Sequence, residues 1–465
     1  MTPSTKITVV ERCQISPPPR SVTAPATLPL TFFDIPWLLF SPSQPLFFYD
    51  FPAATTATHF TQTLLPNLKH TLSVTLKHFF PLAGKLVTPP SPLFSDPHLL
   101  YTEDDSILLT IAEAAEGVDF KNLAGDHRKM ARDFHSLVPV LRSGLLAVQI
   151  TVFPESGICM GFTLRHVAAD WRTFDNFLKA WASLSKNGEI LELAFNDRSV
   201  IKDPSGLTSS FLKEWWQIKG TQKQESIEAN CRPTYDMIRA TFVLGPKEME
   251  KIKKWILTQS EMLFGSAQLL RSPYVIACAF LWVCWMKTHW CTNEDYDDQN
   301  VHYFGFIAGG LTRLRYTVPS NYVGNCVGFG RASATRNELL GENGIVYAAK
   351  AIEDTINKLN EDMLGGAKNW ISEWELLRES ELHVAVTGSP KLDLYGLDFG
   401  WGRPVKFEEV SIDTTGAISL CESGEVIGGI EIGVALPRSK MDDFSILFNK
   451  GLIQYSVGND LFYCE

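Results

Sequence analysis

The stretch that decides the fold is Leu145–Asp170, LLAVQITVFPESGICMGFTLRHVAAD. Leu145–Phe153 and Cys159–Leu164 are short runs of aliphatic, β-branched and aromatic residues, and Pro154-Glu155-Ser156-Gly157 between them is turn chemistry, so the segment predicts a β-hairpin. From about Trp171 the period changes: Phe174, Phe177, Leu178, Trp181 and Leu184 recur three and four apart, the stripe of an amphipathic helix. The alternation continues in both directions. Upstream, Phe60–Leu86 carries Leu64, Leu65, Leu68, Leu72, Leu76 and Phe79-Phe80 at helical spacing, which predicts one long helix stopped by Pro81-Leu82-Ala83-Gly84. Downstream, Ile238–Leu244, Tyr303–Ala308, Leu382–Val386 and Ala417–Leu420 read as strands, and Pro246–Thr258, Ser272–His289, Gly344–Leu359 and Lys440–Leu452 as helices. No segment repeats at a fixed period. The pattern is α/β or α+β.

At 465 residues the chain is too long for one small domain. The composition shifts from Leu191, through DRSVIKDPSG, the Trp215-Trp216 pair and the polar KGTQKQESIEANCRP, which places a linker there. The expected organisation is a first domain over 1–190, a crossover linker over 191–236 and a second domain over 237–465. Thr292–Asn300 holds four acids in nine residues and reads as a solvated surface loop. A hydrophobic fraction of 45% supplies ample core, and a net charge of −10 argues against a nucleic-acid partner. The longest apolar run, Val275–Met286, is twelve residues, short of a bilayer span, and the first residues lack the apolar core of a signal peptide. Nine cysteines occur without a C-x-x-C pair, and no Asn-X-Ser/Thr acceptor is present. These features predict a reducing, cytoplasmic setting and no membrane.

Common sites are absent from the sequence. There is no G-x-x-x-x-G-K-[ST], G-x-G-x-x-G, H-E-x-x-H or G-x-S-x-G, and no metal is expected. What remains is His166 with Asp170 in GFTLRHVAAD. Ten histidines make one H-x-x-x-D about as frequent by chance as not, so position carries the weight. His166 falls where a strand ends and a helix begins, where a rigid scaffold presents reactive groups, and an imidazole there can take a proton from a hydroxyl or an amine. Asp170 could pair with that imidazole, fold back onto a basic residue, or cap the following helix. A second string, Asp398-Phe399-Gly400-Trp401-Gly402, sets two glycines about a tryptophan, which describes a sharp turn that Asp398 would fix.

The two strings, in this order and about 230 residues apart, resemble the plant BAHD acyltransferases, which carry H-x-x-x-D and DFGWG. Leu28–Leu38, Leu68–Leu86, Arg198–Pro204, Asn321–Cys326, Gly388–Tyr395 and Gly428–Leu436 extend the likeness through most of the chain, toward the branch of anthocyanin and phenolic-glucoside malonyl- and hydroxycinnamoyltransferases. The resemblance implies an α/β fold of two chloramphenicol-acetyltransferase-like domains with mixed sheets, with the active site in a channel between them. It implies a monomer that uses acyl-CoA as co-substrate, with a small-molecule acceptor and no permanently bound cofactor. His166 would be the general base of direct acyl transfer without an acyl-enzyme, and Asp170 the tether of its loop through an arginine. It further implies Ser272 and Gly424 on the acyl-CoA side, and Trp171, Asp34, Trp37 and Phe399 on the substrate side, while the DFGWG loop as a whole is structural.

The chain departs from the family pattern at three places. Trp171 stands where Gly usually follows the motif aspartate, which would reshape the acceptor pocket. The usual D-x-R-x-R segment reads Gly309-Gly310-Leu311-Thr312-Arg313, leaving Arg313 or Arg315 as the expected partner of Asp170. Malonyl-using relatives read E-S-R where this chain reads Glu422-Ser423-Gly424. A buried malonyl carboxylate needs a cation, so acetyl or hydroxycinnamoyl transfer is favoured, with malonyl transfer the alternative. A catalytically retired binding protein on the same fold is the competing class, and an intact His166 argues against it.

Overall fold

The hairpin forms as expected, and its two strands, Leu146–Phe153 and Gly157–Leu164, are buried at every position. The turn closes through the Ser156 N–H on the Phe153 carbonyl, with Glu155 at a positive φ of 60°. Gly157 is obligatory, because a Cβ there would collide with the main-chain oxygen of Tyr49. The hairpin lies at the centre of a six-stranded sheet in the order Ile7–Ile15, Ile107–Ala114, Leu146–Phe153, Gly157–Leu164, Pro45–Asp50, Lys406–Glu409. Only the pairing of Ile107–Ala114 with Leu146–Phe153 is parallel; the others are antiparallel. Covering on both faces explains the unbroken apolar runs. Phe47 meets Phe162 and Phe407 on one face, whereas its neighbour Phe48 meets Phe120 and Phe134 on the other.

The computed structural model describes residues 6–51, 57–93, 95–190, 192–221, 236–265, 272–290, 299–377 and 380–457. The chain divides into two compact units: the first holds Met1–Tyr235, Leu314–Val327 and Leu392–Thr414, the second Asp236–Arg313, Gly328–Lys391 and Thr415–Glu465. Within the first unit, helices Leu65–His78 and Trp171–Asn187 pack together, and the Trp181 indole donates to the Leu68 carbonyl and the Thr71 hydroxyl. The expected long helix forms with one irregular turn and stops ahead of Pro81-Leu82-Ala83-Gly84, as the sequence predicts. A wide turn spans Phe60–Leu64, where the Leu65 N–H reaches the Phe60 carbonyl, and the helix ends at His78, ahead of a tight turn over Phe80–Ala83 and a strand at Lys85–Val87. Pro81, which has no N–H to give and whose ring opposes a continuing helix, ends the helical run before Leu86.

Residues 192–221, expected as linker, fold as part of the first unit. Helix Leu207–Thr221 is capped by the Asp203 carboxylate, which accepts the N–H groups of Leu207 and Thr208 at 2.8 Å each. The rest of the expected linker up to residue 235, and most of the acidic loop Thr292–Asn300, lie outside the described residues.

The sheet of the second unit runs Val327–Thr335, Val301–Gly309, His383–Gly388, Ile418–Glu422, Ile430–Pro437, Met237–Leu244. His383–Gly388 pairs in parallel with both of its neighbours, and the last three strands are antiparallel. The apolar run becomes the buried helix Pro273–Trp290, apolar around most of its circumference. Among the described residues no helix is long and apolar enough to cross a membrane.

Candidate active site

His166 sits in the short loop between strand Gly157–Leu164 and helix Trp171–Asn187. Main-chain hydrogen bonds hold that loop: Arg165 N–H donates to the Leu145 carbonyl at 2.9 Å, Ala168 N–H to Arg165 at 3.0 Å and Ala169 N–H to His166 at 3.2 Å. The imidazole is 9% exposed and stacks on the Trp37 indole, with ring centroids 3.5 Å apart and planes 12° from parallel. Burial pushes its pKa down to about 4, against the opposing pull of the Asp170 charge, of its own carbonyl and Asn325 as hydrogen-bond acceptors, and of Asp34. The group is therefore neutral, with one nitrogen free to accept a proton, at any pH well above 4.

Asp170 is 1% exposed and does not bond to the imidazole. One oxygen accepts the Thr173 N–H at 2.8 Å, which caps helix Trp171–Asn187; the other accepts the Cys326 N–H at 3.0 Å. Its cation is Arg172, with Nη2 at 3.6 Å. This corrects the expected partner. Arg313 instead donates to the Gly309 carbonyl and to Asn360 Oδ1, both at 2.8 Å, and Arg315 is exposed. The reason is local: Arg172 lies in the first turn of the helix that Asp170 caps, and it also donates to the carbonyls of Ser320 and Tyr322 at 2.8 and 2.9 Å. Thr173 adds a hydroxyl bond to the Gly324 carbonyl at 2.8 Å. The segment Asn321–Cys326 is thus laced to the histidine loop. Gly324 makes this possible, at φ 147° and with no room for a Cβ against the Tyr322 ring.

Asn325, on that segment, places its carboxamide oxygen 3.1 Å from His166 Nδ1. Behind it lies Asp34, fully buried, which accepts from Asn325 and pairs with the buried guanidinium of Arg198. Asn325 and Arg198 were not singled out from the sequence. They lie in the stretches NYVGNC and RSVIKDP, but nothing in those strings brings them to His166, 159 residues from Asn325. Asp34 and Trp37, expected against substrate, prove to be buried neighbours of the imidazole and its partners rather than surfaces open to a ligand.

The remaining expected residues lie elsewhere. Trp171 is half-buried and meets Phe174 and Phe407 edge to face. Phe399 is 2% exposed, stacked on Trp401 and against Tyr49 and Trp181, so its ring has no face left for substrate. Its loop is fixed by Asp398, which accepts the N–H groups of Gly400 and Gly402 at 2.8 and 3.0 Å and pairs with Lys186 at 2.7 Å. Ser272 begins helix Pro273–Trp290 and accepts the Tyr274 N–H at 3.2 Å. Gly424 is exposed between strands Ile418–Glu422 and Ile430–Pro437, its N–H on the buried Glu431 carboxylate at 3.0 Å. Among the described residues no cluster of three or more His, Cys, Asp or Glu could hold a metal ion.

A histidine held neutral at a strand end, on a loop clamped by a capping aspartate, is equipped for proton transfer. The comparisons with known proteins agree in family. The model of the Transferase family matches residues 5–450. The chain is 37% identical over 475 residues to coumaroyl-CoA:anthocyanidin 3-O-glucoside-6''-O-coumaroyltransferase 2 of Arabidopsis thaliana, covering 97% of this chain and 98% of that protein. It is 36% identical over 468 residues to malonyl-coenzyme A:anthocyanin 3-O-glucoside-6''-O-malonyltransferase of Dahlia pinnata, covering 96% and 97%. In fold it is similar to vinorine synthase, at a TM-score of 0.68 and 18% identity over 94% of this chain and 96% of that one. The match along nearly the whole length, with the mixed sheets described above, establishes that the chain belongs to the Transferase family, the BAHD acyltransferases.

Proposed function

We propose that His166 is the general base of an acyl-CoA-dependent O-acyltransferase that acylates a sugar hydroxyl of a phenolic or flavonoid glycoside. The observation that carries this reading is the neutral, buried imidazole on a clamped loop. The acceptor hydroxyl gives its proton to the imidazole as its oxygen bonds to the thioester carbonyl carbon. The tetrahedral oxyanion collapses, the carbon–sulfur bond breaks, and the imidazolium returns the proton to the departing CoA sulfur. No group on the protein is acylated. Burial makes the imidazole a weak base at rest, and the Asp170 charge favours its protonated form during the reaction.

The glycoside acceptor is supported by the relatives, which act on anthocyanidin or anthocyanin glucosides. Those two relatives differ in donor, one taking coumaroyl-CoA and the other malonyl-CoA. The glycine at 424 gives that exposed position no cation for a malonyl carboxylate, which supports a neutral acyl group here. His166→Ala, assayed with coumaroyl-CoA and an anthocyanidin 3-O-glucoside, is expected to lower kcat by about 10² to 10⁴ in a chain that still folds, as read by circular dichroism. Full acyl transfer by this variant overturns the mechanism. A kcat/KM for malonyl-CoA above those for coumaroyl- and acetyl-CoA overturns the donor assignment alone.

A further inference from the structure

The surroundings of Asn325 fix which way its carboxamide points. Nδ2 carries two hydrogens and meets Asp34 Oδ1 at 2.9 Å, the His166 carbonyl at 2.9 Å and the Val167 carbonyl at 3.3 Å. A carboxylate and two carbonyls only accept, so this end of the amide is the nitrogen and the opposite end, 3.1 Å from His166 Nδ1, is the oxygen. A carboxamide oxygen also only accepts. The hydrogen between the two therefore sits on Nδ1, and the lone pair is left on Nε2.

Asp34 is held just as firmly. Its Oδ1 takes the main-chain and side-chain N–H groups of Asn325, at 3.2 and 2.9 Å, and its Oδ2 takes the N–H and hydroxyl of Thr31, each at 2.7 Å, together with Arg198 Nη1. Asp34 is 0% and Arg198 5% exposed, so the guanidinium meets the carboxylate charge away from water. A carboxylate that can only accept denies Asn325 the flipped orientation. An asparagine in its place would turn its oxygen to Thr31 and Arg198 and its Nδ2 hydrogens against the donors of Asn325. Trp37, stacked on the imidazole face, restricts the tilt of the ring.

We infer that Arg198, Asp34 and Asn325 form a relay that fixes the tautomer of His166, so that Nε2 is the nitrogen that takes the acceptor's proton; they are positioning residues, and their effect on turnover rests on the reading of His166 as the base. The proton lost by the acceptor hydroxyl arrives on Nε2 and leaves from Nε2 to the CoA sulfur. The Nδ1 hydrogen stays on Nδ1, donated to Asn325 Oδ1, throughout, and no proton passes along the relay. The arrangement does for a tautomer what a carboxylate bonded directly to the imidazole does in a serine protease, with the charge set one residue back.

The test reads the tautomer itself. The full chain labelled with ¹⁵N-histidine gives long-range ¹H–¹⁵N correlations for each imidazole, and His166 is identified as the set that disappears in His166→Gln. At pH 7.5 the unmodified chain is expected to show His166 protonated on Nδ1 only. In Asn325→Leu and Asp34→Asn the His166 pattern is expected to move to the Nε2–H form or a mixture, while the other nine imidazoles keep theirs. With coumaroyl-CoA and an anthocyanidin 3-O-glucoside, kcat falls about 10²-fold and KM stays within about twofold. A fold-only role would move stability and KM but leave the tautomer alone. An Nε2–H signal for His166 in the unmodified chain overturns the relay, as does an unchanged tautomer in a folded variant, and the unmodified spectrum decides the matter if neither variant folds. Should His166→Gln keep full transfer, the base assignment fails while the spectra still report on the relay.

Discussion

Two loops of the first unit, Arg165–Asp170 and Asp398–Gly402, are built on one plan. In each an aspartate accepts two main-chain N–H groups and faces one cation: Thr173, Cys326 and Arg172 for Asp170, and Gly400, Gly402 and Lys186 for Asp398. They differ in what lies beside the clamp. Asp170 adjoins a buried imidazole and its Asn325 partner, whereas Asp398 anchors a stack of aromatic rings, Phe399 on Trp401 against Tyr49 and Trp181. A carboxylate that fixes a turn is thus not chemistry in itself. Its role follows from the group whose position the turn sets, and from how far water is excluded there: the Asp170 side chain is 2% exposed and that of Asp398 21%.

The comparison breaks most visibly at Phe399. Phe399→Ala removes a fully packed ring and should cost about 3–5 kcal/mol of stability, read as a lowered denaturation midpoint, while kcat per folded molecule stays the same. A loss of kcat without a loss of stability would return Phe399 to the substrate side. Next comes Asp170→Asn, which removes the charge facing Arg172 and the imidazole. We expect kcat to fall by about 1.5–3 kcal/mol in activation free energy, about ten- to a hundredfold. Because the Asp170 charge raises the His166 pKa, the acid limb of the kcat/KM profile should also move to lower pH. A limb that moves up would refute the electrostatic account. Asp398→Asn is the control: its Lys186 partner is 47% exposed, so the lost pair is worth about 1 kcal/mol at most, with the acid limb unmoved.

A last effect concerns stability against pH. Burial holds His166, and likewise His302 and His383, at about 4, below the free-histidine value of 6.5. As pH falls below 6.5 the unfolded chain takes up protons that the folded chain refuses until about 4. Stability should therefore decline between these values and stop declining from this cause below about 4. His166→Gln removes one of the three groups, so urea midpoints measured from pH 7 to pH 4 should fall less steeply for it than for the unmodified chain. An equal slope would mean that the fold leaves the His166 pKa at its free value.

Much of the site could be read along the chain, because much of it is local. The hairpin, the helix from Trp171 and the cap at Asp170 each depend on residues within a few positions of one another, and residue type suffices for them. His166 could be singled out because the end of a strand and the start of a helix are both written in periodicity. The turn about Asp398 was legible for the same reason, its glycines lying two and four residues on. Arg172 displaced Arg313 at Asp170 for a local reason that likeness to a motif hid: it lies two residues on, in the first turn of the helix that Asp170 caps. Tertiary structure decided the other partners. Phe399, Trp37 and Asp34 changed from substrate-side expectations to buried neighbours because residue type does not say which face is covered. The nitrogen of His166 left free to act was decided last of all, by an asparagine 159 residues away and an aspartate behind it. Hydrogen-bond direction is a property of three-dimensional neighbours, and no spacing along the chain encodes it.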